Sequence, residues 1–198
     1  TTWDVVIKRY TDYTKIAEKK GMLKSKTAVD YRSRLSVLLS YIEEAKISIK
    51  YVYQFDKTFV VDFLDYIVFD KERSPKTRNN YRTWLSTFAT WLVDRQYIKE
   101  NCVESISMMK EGEKFRDAIK IEDLRKLKEY ALDKCPWFYL ACMMEYYTFI
   151  RPEELRHIKI GYISIKYQTI TIPADVSKNR KEQAVALNDT ILKLMIDQ

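Results

Sequence analysis

Apolar residues recur every three or four positions along the first half of the chain, and this spacing predicts amphipathic helices. The first helix is predicted to begin at Trp3 and to end at Gly21, with Thr1 and Asp4 as a candidate capping box. A second helix is predicted to begin at Ser25 or two residues later. Its apolar positions continue as far as residue 42, so both helices are long enough to pack against each other.

Two further helices are predicted from their start signals. Aspartate and serine are favoured N-caps and proline suits a first helical turn, so one helix should follow Asp56 and another should start at Ser74-Pro75. Residues 47–53 alternate like a strand without an evident partner, and we interpret them as an extended connection. The four apolar faces together predict a four-helix domain over residues 1–103.

The pattern changes after residue 103. Residues 104–118 have weak periodicity, many charges and one glycine, and they are predicted to form a linker. Helical spacing then returns, and it is followed by β-branched residues that alternate with a period of two. Residues 119–198 are therefore predicted to contain helices at 121–132, at 136–149 and after 152, strands at 162–165, 169–172 and 183–187, and a last helix from 188 or 189.

The composition is that of a globular protein, with 46% apolar and 32% charged residues. No apolar run is long enough to span a membrane, and the three cysteines and the single histidine form no metal-binding or disulfide pattern. We therefore expect no membrane association, no metal site and reduced thiols in a cytoplasmic protein. The chain begins with threonine and has no signal-peptide pattern, so we expect it to be part of a longer protein.

The whole chain has a net charge of +7, and its positive charge is concentrated in the first half. Residues 1–110 hold 20 Lys and Arg against 14 Asp and Glu, whereas residues 111–198 hold 15 against 14. Two basic clusters stand out, at 15–34 and at 71–82. Such clusters are typical of a surface that binds a polyanion, and they are equally typical of solvated helix ends.

The run from Phe149 to Leu155 holds the residues best suited to chemistry. Arg151 stands between a long apolar helix and a short helix that starts at proline, and Glu154 follows one turn later. A guanidinium oriented by a carboxylate is a good phosphate clamp, because its donors form a planar fork. From these residues alone, an ordinary surface ion pair worth less than ~1 kcal/mol explains the pattern better.

The order of these parts resembles the tyrosine recombinase (phage integrase) family. The segment 148–155 matches the family's box Thr-Gly-apolar-Arg-x-x-Glu-Leu, with Phe149 in place of glycine, and 177–187 matches the hairpin that carries the catalytic lysine. Further matches lie at 74–81, 88–92 and 97–101. The resemblance implies a mainly α fold. A SAM-like four-helix core-binding bundle at 1–103 would precede a truncated α+β catalytic domain with a small three-stranded antiparallel sheet at 119–198.

The resemblance also implies catalytic roles. Arg151 resembles the first catalytic arginine, which binds the scissile phosphate, and Glu154 resembles the residue that supports it. Lys178 resembles the general acid that protonates the leaving 5′ oxygen, with Lys181 as a less favoured alternative. The only histidine, His157, matches no catalytic position of the family. The family forms a 3′-phosphotyrosyl intermediate and needs neither a metal nor another cofactor, so we expect none here.

The same resemblance implies that double-stranded DNA is the partner. The family's second and fourth helices approach the major groove, and the two basic clusters fall at the starts of those helices here. Phosphate contacts from about six to eight basic residues would give a log–log salt slope of roughly −5 to −7. The predicted DNA-binding residues are Lys24, Lys26, Thr27, Tyr31, Arg34, Lys76, Thr77, Arg78, Asn79 and Arg82.

The family's His-x-x-Arg motif and nucleophilic tyrosine have no match before residue 198. We therefore expect an inactive, monomeric part of a recombinase whose complete form assembles as a tetramer on DNA. The parent would act in the bacterial cytoplasm, on the nucleoid or as the product of a mobile element. Two alternatives stay open: a non-catalytic accessory protein that binds DNA with the recombinase fold, and a helical module that binds an acidic protein surface.

Overall fold

A computed structural model of the chain describes residues 1–113 and 117–196. The chain divides into two compact units, Thr1–Lys114 and Phe115–Gln198. The first unit is helical, and the second combines helices with a small three-stranded antiparallel sheet. The predicted fold class, mainly α with a small antiparallel sheet, is therefore confirmed. Positions 114–116 of the predicted linker lie outside the described residues.

Four helices build the first unit, and two of them start at their predicted N-cap residues. The Asp56 carboxylate accepts a hydrogen bond from the Phe59 amide (2.8 Å), and the Ser74 hydroxyl accepts one from the Thr77 amide (3.3 Å). A single π-helical turn, Tyr66–Asp70, extends the third helix. The four helices are α1 (Trp3–Lys19), α2 (Ser25–Glu44), α3 (Lys57–Asp65) and α4 (Pro75–Asp94).

The start of α1 differs from the prediction. Thr2, not Thr1, precedes the helix, and no side chain caps it, so the capping box between Thr1 and Asp4 was wrong. The backbone is instead tied to the extended segment before α3, since Thr2 pairs with Tyr51 in an antiparallel bridge and the Trp3 amide donates to the Lys50 carbonyl (3.0 Å). Residues 47–53, which the sequence predicts to be an extended connection without a partner, therefore pair with the residues that precede α1.

Aromatic side chains fill the core of the first unit. The Phe88 ring lies at its centre, with ring centroids of Tyr10 at 4.7 Å and Phe55 at 5.4 Å. Trp3, Trp84 and Trp91 are 3%, 1% and 6% exposed, so three of the four tryptophans of the chain lie in this core. This aromatic packing fixes the helices of the first unit relative to one another, and it thereby fixes the positions of their first turns.

The second unit packs helices against its sheet. Strand β2 is central, with Ile170 opposite Ile163 of β1 and Val185 of β3, and both Ile170 and Ile172 are buried against helical side chains. The elements are α5 (Ile121–Lys134), α6 (Pro136–Thr148), α7 (Pro152–Leu155), β1 (Ile163–Ser164), β2 (Thr169–Ile172), β3 (Gln183–Ala186) and α8 (Asp189–Ile196).

Helix α5 has an unusual surface. It runs beside α6, yet none of its residues is buried, and Ile121, Leu124, Leu127 and Tyr130 are each more than half exposed. Across residues 1–113 and 117–196, no helix is both long enough and apolar enough to cross a membrane.

Candidate functional site

The chain reverses direction between α6 and α7, and this turn positions Arg151. Phe149 ends α6 in the left-handed conformation (φ 55°), and its amide still donates to the Glu145 carbonyl (2.9 Å). The next residue, Ile150, is 2% exposed and anchors the turn in the core of the second unit. Arg151 then immediately precedes Pro152, which begins α7. The side chain of Arg151 is 45% exposed, so its guanidinium is available at the surface.

Glu154 is the centre of this site. It is 3% exposed, and its carboxylate accepts hydrogen bonds from the Arg151 guanidinium (3.0 Å), the Arg151 amide (3.2 Å) and the Lys178 amide (2.8 Å). Burial of the carboxylate raises the pKa of Glu154, but these hydrogen bonds together outweigh burial and the net pKa lies below its ordinary value. The carboxylate is therefore charged at neutral pH and fixes the guanidinium.

The contact with Lys178 joins two parts of the second unit that are distant in sequence. Lys178 lies in the turn between β2 and β3, where Ser177 is fully buried and its hydroxyl accepts from the Asn179 amide and the Gln183 side-chain amide (both 3.3 Å). The buried serine and the buried glutamate therefore hold the turn against the start of α7. Two of the predicted catalytic residues, Arg151 and Lys178, are thus bound to the third.

Other candidate residues of the second unit lie at the surface. Lys181 is exposed in the same turn, and Arg180 adopts a left-handed backbone conformation (φ 55°). The His157 side chain is 56% exposed and its Nε2 lies 3.4 Å from the Glu153 carboxylate. Among the described residues, no group of three or more His, Cys, Asp or Glu is arranged to hold a metal ion.

The starts of α2 and α4 carry the predicted DNA-binding residues of the first unit. Neither helix has an acidic residue in its own first turn, although the Glu18 carboxylate of α1 accepts a hydrogen bond from the Ser25 hydroxyl at the start of α2. Such helix starts attract phosphate groups, particularly when lysines flank them. Lys24, Lys26 and Lys76 are exposed here, whereas Thr27, Tyr31 and Thr77 are half-buried.

The two basic clusters meet around Tyr81. Arg34 of α2 donates to the Asn80 carbonyl of α4 (2.9 Å), and its guanidinium lies 5.9 Å from the centroid of the Tyr81 ring. Burial raises the pKa of the Tyr81 phenol, and the positive charges of Arg34 and Arg73 partly oppose that increase. Basic residues that are some 40 positions apart in the chain therefore contribute to one electrostatic surface.

Arg78, Asn79 and Arg82 have a different environment from the other predicted DNA-binding residues. Arg78 and Asn79 are 7% and 6% exposed, and Arg82 is half-buried. All three donate hydrogen bonds to the segment 103–111, which comes later in the sequence than α4 and is not directly joined to it. Their predicted contacts with DNA stay predictions, and the donors described here are directed at the protein itself.

Known proteins resemble this chain in part of its sequence and in its fold. No protein-family model matches the chain. The defective protein IntQ of Escherichia coli (strain K12) is 32% identical over 119 residues, which are 59% of this chain and 29% of that protein. The chain therefore spans less than a third of the length of this relative.

Solved structures match over nearly the whole chain. A lambda integrase dimer bound to a COC′ core site superimposes with a TM-score of 0.71 at 18% identity, covering 100% of this chain and 69% of that one. The Tn1549 transposon integrase in complex with a circular intermediate DNA gives a TM-score of 0.69 at 12% identity, covering 93% and 62%. The chain has the fold of these integrases. The resemblance noted in the sequence is confirmed by this structural likeness.

Phe149 occupies the position where the resembled recombinase box has glycine, and its backbone adopts a positive φ there (55°). Glycine adopts that conformation without cost, whereas a residue with a Cβ loses about 1 kcal/mol or more. Phe149 is also 87% exposed, so packing does not compensate for the strain.

Phe149→Gly is therefore expected to stabilise the second unit by about 1 kcal/mol, as measured by urea unfolding. Tyr147→Gly is the matched control, because Tyr147 lies two residues earlier inside α6, where glycine should destabilise by about 1 kcal/mol. A variant Phe149→Gly that unfolds at lower urea concentration than the unaltered chain would show that the phenyl ring stabilises the turn.

Proposed function

We propose that this chain is the DNA-binding core, with the first part of the catalytic region, of a site-specific DNA recombinase. One observation carries the proposal: in a chain with the recombinase fold, buried Glu154 binds both the Arg151 guanidinium and the amide of Lys178. An exposed surface pair between Arg151 and Glu154, the simpler explanation of the sequence, does not account for a carboxylate that is 3% exposed. The arrangement instead suits an arginine that is fixed before it meets a phosphate.

The chemistry follows from the charges. The Arg151 guanidinium would bind two oxygens of the scissile phosphate and stabilise the negative charge that develops on them in the transition state. When a tyrosine oxygen forms a bond to phosphorus and the 5′ oxygen leaves, Lys178 would donate the proton that the leaving oxygen needs. The phosphodiester energy is retained in the tyrosyl–phosphate bond, so that a second 5′ hydroxyl can reverse the step.

We further propose that the nucleophilic tyrosine and the remaining catalytic residues belong to a longer parent protein, so that the chain alone does not cleave DNA. The partial coverage of the integrases, 69% and 62% of their chains, supports this proposal. The exposed apolar residues of α5 also support it, because monomeric proteins rarely leave such a continuous apolar face in water. The parent would act as a tetramer, since a lambda integrase tetramer bound to a Holliday junction has the same fold over this chain, with a TM-score of 0.71.

The DNA surface is proposed to lie at the starts of α2 and α4. Lys24, Lys26 and Lys76 would contact phosphates, and Thr27, Tyr31 and Thr77 would border them. Arg34, which pairs with Asp30 at 2.7 Å and donates to the Asn80 carbonyl, would add its charge to this surface. Double-stranded DNA is favoured over an acidic protein surface, because the solved integrases with this fold are complexes with DNA. The parent would bind this DNA in the bacterial cytoplasm, either on the nucleoid or as a protein encoded by a mobile element.

Binding of a duplex to the whole chain, measured at several salt concentrations, tests this surface. Lys76→Ala is expected to weaken binding about fivefold and to make the log–log salt slope shallower by about 1, because one phosphate contact is lost. Lys99→Ala removes the same charge from an exposed position outside both clusters and should change neither quantity. If the two variants behave alike, or if the chain does not bind duplex DNA, the proposed surface is wrong.

A non-catalytic accessory role is the second candidate. It is favoured by the description of IntQ as defective and by Phe149 at a position where the recombinase box has glycine. In that case the parent would bind DNA, but substitution of Arg151 or Lys178 would leave its function intact.

A further inference from the structure

Three polar residues of α4 bind the segment 103–111 instead of projecting into solvent. We call Arg78, Asn79 and Arg82 the α4 clasp. Arg82 donates from Nε to the Ile106 carbonyl (2.9 Å) and from Nη2 to the carbonyls of Val103 and Glu104 (both 3.0 Å). Arg82 thus holds three carbonyl groups of a segment that forms no regular helix or strand.

Asn79 makes the most specific contact of the clasp. Its Oδ1 accepts from the Met109 amide and its Nδ2 donates to the Met109 carbonyl, each at 2.9 Å, so the side-chain amide pairs with this residue as a neighbouring strand would. The same Nδ2 lies 3.1 Å from the Glu111 carboxylate. Arg78 completes the set by donating to the Ser107 carbonyl (2.9 Å).

These contacts replace the hydrogen bonds that the segment would otherwise make with water. The segment has no strand partner, yet Val103 and Ile106 are 0% and 6% exposed and draw its backbone toward the core. Carbonyl groups in such a position need donors, and the guanidinium of Arg82 supplies them in a fixed geometry. A phosphate could bind Arg82 only after these hydrogen bonds were broken. Breaking them costs more free energy than binding the phosphate through a lysine that is already exposed to water.

We propose that Arg78, Asn79 and Arg82 are positioning residues that fix the chain where it leaves the first unit, and that they are not phosphate contacts. The consequence for DNA binding rests on the proposed function. The helix whose start is proposed to meet DNA also holds the segment that leads to the second unit. Loosening the clasp would then weaken DNA binding through added chain entropy, without loss of a charge contact.

Hydrogen exchange on the whole chain tests the clasp without reference to DNA. Asn79→Ala is expected to accelerate exchange of the Met109 amide at least tenfold, since Asn79 Oδ1 is its acceptor, while the amides of α4 keep their protection. Asn80→Ala is the matched control, because Asn80 is exposed and its bond to Arg34 uses the backbone carbonyl. Unchanged exchange at Met109, or equal acceleration throughout α4, would overturn the proposal.

A second arm separates the clasp from the proposed function. In salt titrations with duplex DNA, Arg82→Ala is expected to weaken binding three- to tenfold with an unchanged salt slope, whereas Lys76→Ala makes the slope shallower by about 1. A slope that becomes shallower by about 1 in Arg82→Ala would show a phosphate contact and overturn the clasp. If the unaltered chain binds no DNA, the proposed function fails, and the exchange of the Met109 amide still decides the clasp.

Discussion

Arg151→Ala in the proposed parent recombinase is expected to reduce DNA strand cleavage by about a thousandfold or more, while duplex affinity changes less than tenfold. The guanidinium would contribute mainly where negative charge develops on the scissile phosphate, and loss of one such donor group typically costs two to three orders of magnitude or more. Affinity depends on many other phosphate contacts, so it should change little. The measurement is formation of a covalent protein–DNA adduct on a nicked substrate that traps the intermediate.

Arg156→Ala is the matched control for this prediction. Arg156 directly follows α7 and pairs with Glu153 at 3.2 Å, but both side chains are more than 70% exposed. Its loss should leave adduct formation unchanged. Arg151→Lys should not restore cleavage, since an ammonium group cannot form the two parallel hydrogen bonds of a guanidinium. If Arg151→Ala cleaves normally, the accessory role described above becomes the better explanation.

Glu154→Ala is expected to destabilise the second unit by about 2–4 kcal/mol. The substitution leaves two backbone amides and one guanidinium without their acceptor, and removing one partner of a buried, hydrogen-bonded charge is among the most costly substitutions. Because Arg151 is partly exposed to water, the expected loss of unfolding free energy is smaller than the largest losses seen when a fully buried ion pair is broken. Urea unfolding followed by circular dichroism measures it. Glu153→Ala, at a neighbouring exposed position, should change stability by less than about 0.5 kcal/mol.

The lowered pKa of Glu154 predicts that the stability of the folded chain depends on pH. The pKa of Glu154 is lower in the folded chain than its ordinary value of 4.5, so the folded state binds its proton more weakly than the unfolded state. Its stabilisation is therefore fully present above about pH 4.5 and is lost as the pH falls through the lower, folded pKa. Glu154→Gln should lose stability at neutral pH and should lack this part of the acid dependence. Equal acid profiles for Glu154→Gln and the unaltered chain would contradict the role given to the carboxylate.

Local signals in the sequence predicted most of the helices. Asp56 and Ser74 act through hydrogen bonds to amides three residues away, so their effect is visible in a short stretch of chain. The period-two alternation around Ile170 and Ile172 likewise predicted β2, because alternate residues of a strand face the same side. The Thr1–Asp4 capping box failed because a non-local bridge to Tyr51 fixes the first residues instead.

The long-range contacts of the site could not be predicted from local pattern. Glu154 and Lys178 are 24 positions apart, and only folding of the sheet against α7 brings them together. The α4 clasp left a weak signal that sequence reasoning missed. Arg78, Arg82, Leu85 and Ala89 follow helical spacing, and the last two are fully buried, so the arginines continue the buried face of α4 rather than its solvent face. Their partners, in a segment without periodicity, had no pattern that could identify them.

The distribution of tryptophan gives each unit its own optical signal. Trp3, Trp84 and Trp91 are buried in the first unit, whereas Trp137 is 67% exposed at the start of α6 in the second. Indole emission shifts to longer wavelength in water, and collisional quenchers reach only exposed rings. Red-edge emission and iodide quenching therefore report on Trp137, while the blue-edge emission follows the aromatic core of the first unit. Loss of the blue-edge emission should therefore follow the unfolding of the first unit with little contribution from Trp137.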